Sequence, residues 1–175
     1  DSSPSFRWLE VSLGAGGVNG GDPDTPAPAG TIQKGGGSLN GATQYAAGLQ
    51  WNWNEIVGVQ AEAFYLAKRP KTNIGGSMVE SRGTLWDYGA GFVLTPIRLT
   101  VGPNIKLTLA GLLGGMTVPF HRHNGIAPEI AHAGSLHYGA RLGFEISNRV
   151  TVQASVRQVA RFSSTHSSGS VALLF

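Results

Sequence analysis

The histidines are the residues whose type and spacing most directly suggest chemistry. All five lie at one end of the predicted strands: His121, His123, His132, His137 and His166. Zn²⁺ and Cu²⁺ favour imidazole ligands, and an extended segment would place His121 and His123 on one side, with His132 across the same hairpin. Their spacing matches no established metal motif. We therefore predict no cofactor, with a loop-bound divalent metal at His121, His123 and His132 as the alternative.

A possible nucleophile lies in His166-Ser167-Ser168, where a base precedes two hydroxyls. Nucleophilic catalysis needs a base within hydrogen-bond reach and an acid that orients it, and the segment supplies no such acid. The chain has no cysteine, which excludes thiolate catalysis, thiolate metal sites and disulfides. We therefore predict that the protein is not an enzyme.

Eight segments alternate apolar and polar residues and are predicted to be β-strands. They span 6–15, 43–53, 57–67, 84–95, 105–118, 135–146, 150–161 and 168–175. Long polar connections, at 20–41, 68–83 and 120–134, alternate with short ones near 54, 96–104 and 148, and 163–167 is a short loop. The pattern predicts an all-β fold: an eight-stranded antiparallel up-and-down transmembrane barrel with long extracellular loops and short periplasmic turns.

The strands carry charge on the face opposite their apolar one. The inward-facing set is Glu10, Glu62, Asp87, Lys106, Arg141, Glu145 and Arg157. Eight strands leave an interior that side chains can fill, and buried charges need partners. The sequence therefore predicts an ion-pair network that plugs the lumen, with a catalytic carboxylate pair or a proton path as the alternatives.

Basic residues accumulate at the long-loop end. The predicted contact set for lipopolysaccharide or another anionic partner is Lys68, Arg69, Lys71, Arg82, Arg122 and Arg161, opposed by Asp22, Asp24, Glu80 and Glu129. Phosphates of lipopolysaccharide lie at this level of a membrane and would be attracted by a basic rim. Solvated loop charge is the alternative interpretation.

The composition supports one membrane-embedded domain over residues 1–175. Charged residues make up 13%, no long apolar run indicates a transmembrane helix, and the net charge of +3 is too small to argue for nucleic acid. The chain starts without a basic or hydrophobic leader, so a signal peptide is expected to have been removed already. Aromatic residues are predicted to form two membrane girdles: Trp51, Trp53, Phe92, Phe144 and Phe175, and Tyr65, Trp86 and Tyr138.

The last strand, with Val171, Leu173 and a terminal Phe175 on one face, resembles the closing strand of small bacterial outer-membrane barrels. The whole chain is similar in pattern to the OmpA transmembrane domain, OmpX and opacity-protein type. That resemblance implies a monomer in the Gram-negative outer membrane whose terminal Phe175 is read by the barrel-insertion machinery. It also implies that function lies in the outer loops.

From this resemblance we expect a structural and surface-interaction protein whose loops contact lipopolysaccharide or an external host partner. A small-solute channel or ligand-binding barrel is the alternative. The His166-x-Ser168 pair is also similar to that of lipid A deacylases of the PagL type, but it lies in the last predicted loop and not in the penultimate strand. A lipid A-modifying enzyme is therefore a remote alternative.

Overall fold

The structure is a computed structural model that describes residues 7–19, 41–123, 128–160 and 164–175, with the backbone alone for Thr72 and for residues 120–123. It contains ten strands: β1 Leu9–Asn19, β2 Ala42–Asn52, β3 Val57–Leu66, β4 Lys71–Ile74, β5 Ser77–Glu80, β6 Trp86–Gly102, β7 Ile105–His123, β8 Pro128–Ile146, β9 Val150–Val159 and β10 Ser164–Leu174. The described part of the chain holds no helix with the length and apolar character to span a bilayer.

Eight of these strands form one closed antiparallel barrel. Their order around the wall is β1-β10-β9-β8-β7-β6-β3-β2, and β4 and β5 form a separate hairpin. The first and last strands close the wall, with Leu13 opposite Val171 and Glu10 opposite Leu174. Closure leaves no unpaired edge along this seam. The predicted eight-stranded barrel is confirmed.

Several strands run further than the sequence predicted, whereas β3 and β9 end one or two residues earlier. β6 continues to Gly102, so most of the predicted connection 96–104 is strand, with a register shift between Leu94 and Ile97 around Pro96. The predicted loop 120–134 is mostly the hairpin of β7 and β8, and 68–83 contains β4 and β5. β10 begins at Ser164, which places the predicted loop 163–167 largely in strand. Backbone pairing extends past the residues that alternate in polarity, so a polarity pattern underestimates strand length.

The connection between β8 and β9 is a short turn. Ser147 and Asn148 both have positive φ, at 55° and 53°. Two consecutive residues of this kind form the type I′ turn, whose twist matches that of a hairpin. The Asn148 side chain also accepts a hydrogen bond from Lys106 Nζ at 2.9 Å. This end of the barrel therefore has a fixed, short rim.

Side chains alternate between a lipid-like outer face and a polar inner face. On β9, for example, Val152, Ala154 and Val156 are exposed, whereas Gln153 and Arg157 are buried. Large apolar side chains such as Leu13, Leu113 and Leu136 are 58–69% exposed. A water-soluble barrel would bury these and expose the polar set. The polarity of the wall is thus inverted relative to a soluble protein.

Candidate functional site: the lumen and the long-loop rim

A hydrogen-bonded chain of polar side chains crosses the middle of the lumen. Arg157 on β9 donates from Nη2 to Glu62 Oε1 on β3 at 2.6 Å. Gln60 Nε2 donates to the second oxygen of that carboxylate at 3.1 Å. Arg141 on β8 donates to Gln60 Oε1 at 2.5 Å and to Gln50 Oε1 on β2 at 2.7 Å. Four strands are joined by these bonds.

The chain continues to the closing strands. Gln153 Nε2 on β9 donates to Glu10 Oε1 on β1 at 2.6 Å, and Ser170 Oγ on β10 donates to Gln153 Oε1 at 3.3 Å. Arg141 Nη1 lies 3.9 Å from the same Glu10 oxygen. Two carboxylates and two guanidinium groups therefore balance one another within the network, which lowers the cost of burying them.

Lys106 and Glu145 form a separate ion pair near the short-turn end. Their Nζ and Oε1 atoms lie 3.7 Å apart, and the residues are direct neighbours in the β7–β8 register. A cavity of about 50 Å³ lies on this side of the network, between Arg7, Glu10, Arg141 and other polar residues. A few waters would fill such a volume.

Apolar side chains fill the lumen on the long-loop side. Phe64, Met116, Val118 and Val159 form a buried cluster. The Arg157 guanidinium lies 5.7 Å from the centroid of the Phe64 ring, within the range of a cation–π contact. The described side chains therefore close the lumen in two layers, one polar and one apolar.

Asp87 differs from the other predicted inward acidic residues because its partner is a histidine and not an arginine or a lysine. Its Oδ1 atom lies 2.7 Å from His132 Nδ1 and accepts a hydrogen bond from Thr117 Oγ1 at 2.8 Å. His132 Nε2 lies 3.1 Å from the Thr84 carbonyl oxygen. Both ring nitrogens of His132 thus face acceptors, and both acceptors are satisfied when the ring carries two protons.

These contacts bear on the predicted metal site. His132 has no ring nitrogen free for a metal, and His121 and His123 lie on β7 with side chains outside the described part of the structure. The described residues contain no group of three His, Cys, Asp or Glu side chains that could hold a metal ion. His137 and His166 are buried inside the barrel. The five histidines therefore do not form one cluster among the described residues.

The segment before β6 is tied to the extended part of β8. Arg82 N donates to Pro128 O at 2.9 Å and Ile130 N donates to Arg82 O at 2.7 Å, as a short parallel bridge. Arg69 Nη1 donates to the Ser81 and Gly83 carbonyl oxygens at 2.8 Å each. The long-loop rim is thus built partly by main-chain contacts between connections that are distant in sequence.

The predicted basic residues have different environments at this rim. Lys68 and the Arg82 side chain are exposed, Lys71 Nζ lies 3.3 Å from Glu80 Oε1 on the neighbouring strand, and Arg69 is engaged with carbonyl groups. Arg161 lies outside the described residues, as does the side chain of Arg122. Lys68 and Arg82 are the members of the set that face solvent with no ion pair among the described residues.

Two solved structures are similar in fold to this chain. The N-terminal β-barrel domain of Pseudomonas aeruginosa OprF matches 98% of this chain and 100% of its own, with 8% identity and a TM-score of 0.58. Ail of Yersinia pestis, in complex with the heparin analogue sucrose octasulfate, matches with coverages of 96% and 97%, 16% identity and a TM-score of 0.55. No family model matches the sequence, and no curated protein sequence matches it significantly.

These matches and the closed wall decide the fold. The chain has the fold of the eight-stranded outer-membrane β-barrels. Matches at such low sequence identity establish the fold but not the function, because one fold serves many functions.

Aromatic side chains surround this outer-membrane barrel fold at two levels. Near the turns lie Trp51, Trp53, Phe144 and Phe175, and near the long loops lie Tyr65, Trp86 and Tyr138, whereas Phe92, which we predicted for the turn level, lies in mid-strand opposite Val59 and Leu113. All of them but the half-buried Tyr65 are exposed. Tyr65 and Trp86 are opposite in register and their ring centroids are 4.9 Å apart. The structure adds Tyr45 and Tyr88 to the upper level and Trp8, in edge contact with Trp51, to the lower one.

The neutral amides of the lumen were missed by sequence reasoning. Gln50, Gln60 and Gln153 connect the charged groups, and each is at least nine-tenths buried. The alternation along each strand places these residues on the inward face, but a search for charged residues does not find neutral amides. The His166 and Ser168 side chains also line the lumen, so this pair does not face the lipid.

Proposed function

We propose that the protein is a non-enzymatic integral protein of the bacterial outer membrane whose long-loop end binds an anionic glycan or glycolipid, with lipopolysaccharide as the nearest source. The observation that carries this proposal is the filled lumen. Arg141, Arg157 and their partners cross it, and Phe64 and Met116 close it above. A barrel with a filled lumen can act only through its surfaces, and the rim is its polar surface.

The outer wall supports residence in a membrane. Its apolar side chains, including Leu13, Leu113 and Leu136, are more than half exposed, which would be costly in water. Aromatic rings at two levels suit the two interfaces of a bilayer. Phe175 fits the same picture, since it lies exposed on the wall with its amide bonded to Leu9 O, where insertion machinery would find a paired closing strand.

The rim supports an anionic partner. Its described part carries Lys68, Arg69, Lys71 and Arg82 against Glu80 and Glu129. The Ail barrel of similar fold was solved with a sulfated sugar, sucrose octasulfate. A sulfated or phosphorylated sugar is thus the class of ligand that we propose, either as lipid A of the same membrane or as a host glycan.

A binding measurement distinguishes these two sources. The chain is refolded without lipopolysaccharide into phospholipid nanodiscs and tested against lipopolysaccharide, dephosphorylated lipopolysaccharide and heparin. We expect binding that weakens as salt rises and that falls about tenfold in Lys68→Gln/Arg82→Gln, about 1.4 kcal/mol. Loss of binding on dephosphorylation identifies the lipid source, and binding to heparin alone identifies an external glycan.

The control changes charge at the opposite end. Arg98 and Arg149 are exposed near the short turns, so Arg98→Gln/Arg149→Gln removes the same charge without touching the rim. We expect wild-type affinity for this variant. Equal losses in both variants, or no binding to any of the three ligands, would overturn the proposal.

The channel remains the second candidate and has its own test. The cavity of about 50 Å³ on the turn side of the network is the observation that favours it. In planar bilayers we expect no stable conductance from the wild-type protein. Steady ion passage through the unmodified barrel would establish transport in place of a purely surface role.

A further inference from the structure

A second, smaller cavity lies inside the barrel between the polar network and the long-loop end. It measures about 20 Å³ and is lined by residues of β1, β2, β3, β7, β9 and β10, among them Gln44, Phe64, Arg157 and His166. It is separate from the turn-side cavity, with which it shares no lining residue. The rim proposed above as a binding surface does not include it.

Three of its lining side chains place unpartnered nitrogen atoms in this region. Gln44 Nε2, Arg157 Nε and His166 Nδ1 are buried and have no hydrogen-bond partner in the described part of the structure. Their residues are 5%, 4% and 8% exposed. Buried polar groups are nearly always hydrogen-bonded to protein or to ordered water, so three such atoms around one cavity indicate that a bound water, ion or other ligand satisfies them.

Each of these atoms can act as a donor. Gln44 Nε2 and Arg157 Nε carry hydrogens. His166 Nε2 lies 3.3 Å from Ser164 Oγ, and when that hydroxyl donates, the neutral ring keeps its proton on Nδ1. The Ser155 and Ser168 hydroxyls share one hydrogen bond at 2.7 Å, which leaves the second hydroxyl proton free to donate.

The carboxylate closest to these donors, Glu62, already accepts other hydrogen bonds. Glu62 accepts from Arg157 Nη2 and from Gln60 Nε2, so both of its oxygens are engaged. A water molecule among four donors would accept only two of their hydrogen bonds and leave the other two donors unsatisfied. A spherical anion accepts from all four and is stabilised by these oriented N–H and O–H dipoles, while Glu62 balances the Arg157 charge.

We propose that this cavity binds one small monatomic anion of the halide class. A volume of about 20 Å³ exceeds the roughly 10–15 Å³ that a single water needs. The cavity is close to the size of a single water site, so polyatomic anions such as phosphate, sulfate and carboxylates do not fit. The ligand joins β2, β9 and β10 through the Gln44, Arg157 and His166 donors.

Bromide is the probe that tests this assignment. Crystals of the wild-type protein grown in sodium bromide are compared with crystals grown in sodium gluconate at equal ionic strength. We expect an anomalous bromine peak within hydrogen-bond distance of Gln44 Nε2 and Arg157 Nε. A water at that position in bromide-grown crystals, or no density, would overturn the proposal.

Thermal unfolding in the same two salts gives a second readout. We expect a higher Tm in bromide than in gluconate, because a ligand that binds the folded state stabilises it. Gln44→Leu should abolish the difference, whereas Gln50→Leu, a matched change in the other cavity, should retain it. An identical bromide effect in all three proteins would show that the salt acts elsewhere.

Discussion

Arg157 and Glu62 face each other across the lumen with 2.6 Å between Nη2 and Oε1, and their side chains are only 5% and 11% exposed. They lie on β9 and β3, which are not neighbours in the wall. The ion pair therefore acts as a brace through the interior, and its energetics differ from those of a surface pair.

Arg157→Met tests this brace. It leaves the Glu62 carboxylate buried with Gln60 as its remaining described partner, so we expect the free energy of unfolding to fall by about 3–5 kcal/mol. Urea unfolding from phospholipid vesicles measures this. Adding Glu62→Gln should recover part of the loss, and Lys71→Met at the exposed Lys71–Glu80 pair should cost at most about 1 kcal/mol.

A charge on the outer wall tests the membrane position. Leu113 is paired with Phe92 on one side and Tyr138 on the other and lies near the middle of β7. Leu113→Arg should destabilise the barrel by about 2–4 kcal/mol in vesicles. Met78→Arg on the β4–β5 hairpin, where Met78 is 63% exposed, should be nearly neutral. Similar small effects at the two positions would contradict the placement of the wall in lipid.

Glycines in the wall divide into two kinds. A Cβ at Gly139 would collide with the Val156 carbonyl oxygen and lie 2.9 Å from Arg157 Cα, whereas a Cβ at Gly134 has no atom within 4 Å. Gly139→Ala should therefore cost about 1–3 kcal/mol of unfolding free energy. Gly134→Ala should be neutral or stabilising by up to about 1 kcal/mol. The reverse order would refute this strand packing.

His132→Leu separates a structural from a metal-binding role. The change removes one partner of the Asp87 carboxylate, so we expect a loss of about 1–3 kcal/mol in unfolding free energy and faster amide exchange where β6 begins. Zinc affinity should be unchanged. If zinc binding is present in the wild type and lost in the variant, His132 is a ligand and the Asp87 contact is secondary.

The barrel could be predicted from the sequence because apolar and polar side chains alternate along the strands of its wall with a period of two residues. The alternation of Val171, Leu173 and Phe175 predicts the closing strand. The lengths of the connections predict at which end of the barrel each pair of strands is joined. The inward charges Glu10, Glu62, Arg141 and Arg157 followed from the same alternation. These features are local, and local patterns specify side-chain faces.

The features that could not be predicted from the sequence depend on contacts between residues that are distant along the chain. The partner of Asp87 is His132, and this contact has no local signature because it depends on the docking of the 82–84 segment on β8. The bridging role of Gln60 requires knowing that Arg141 on β8 reaches across to β3. The length of β7 and β8 was underestimated because residues 119–123 and 128–134 pair without alternating in polarity.

The lumen network also constrains how this chain can assemble. Its members come from β1, β2, β3, β8, β9 and β10, so a single hairpin cannot satisfy them. A half-inserted wall would carry Glu10, Glu62, Arg141 and Arg157 next to hydrocarbon without their partners, at a cost of several kcal/mol for each charge. Stable partial barrels are therefore not expected, because the network has all its partners only when β1 and β10 are paired and the wall is closed.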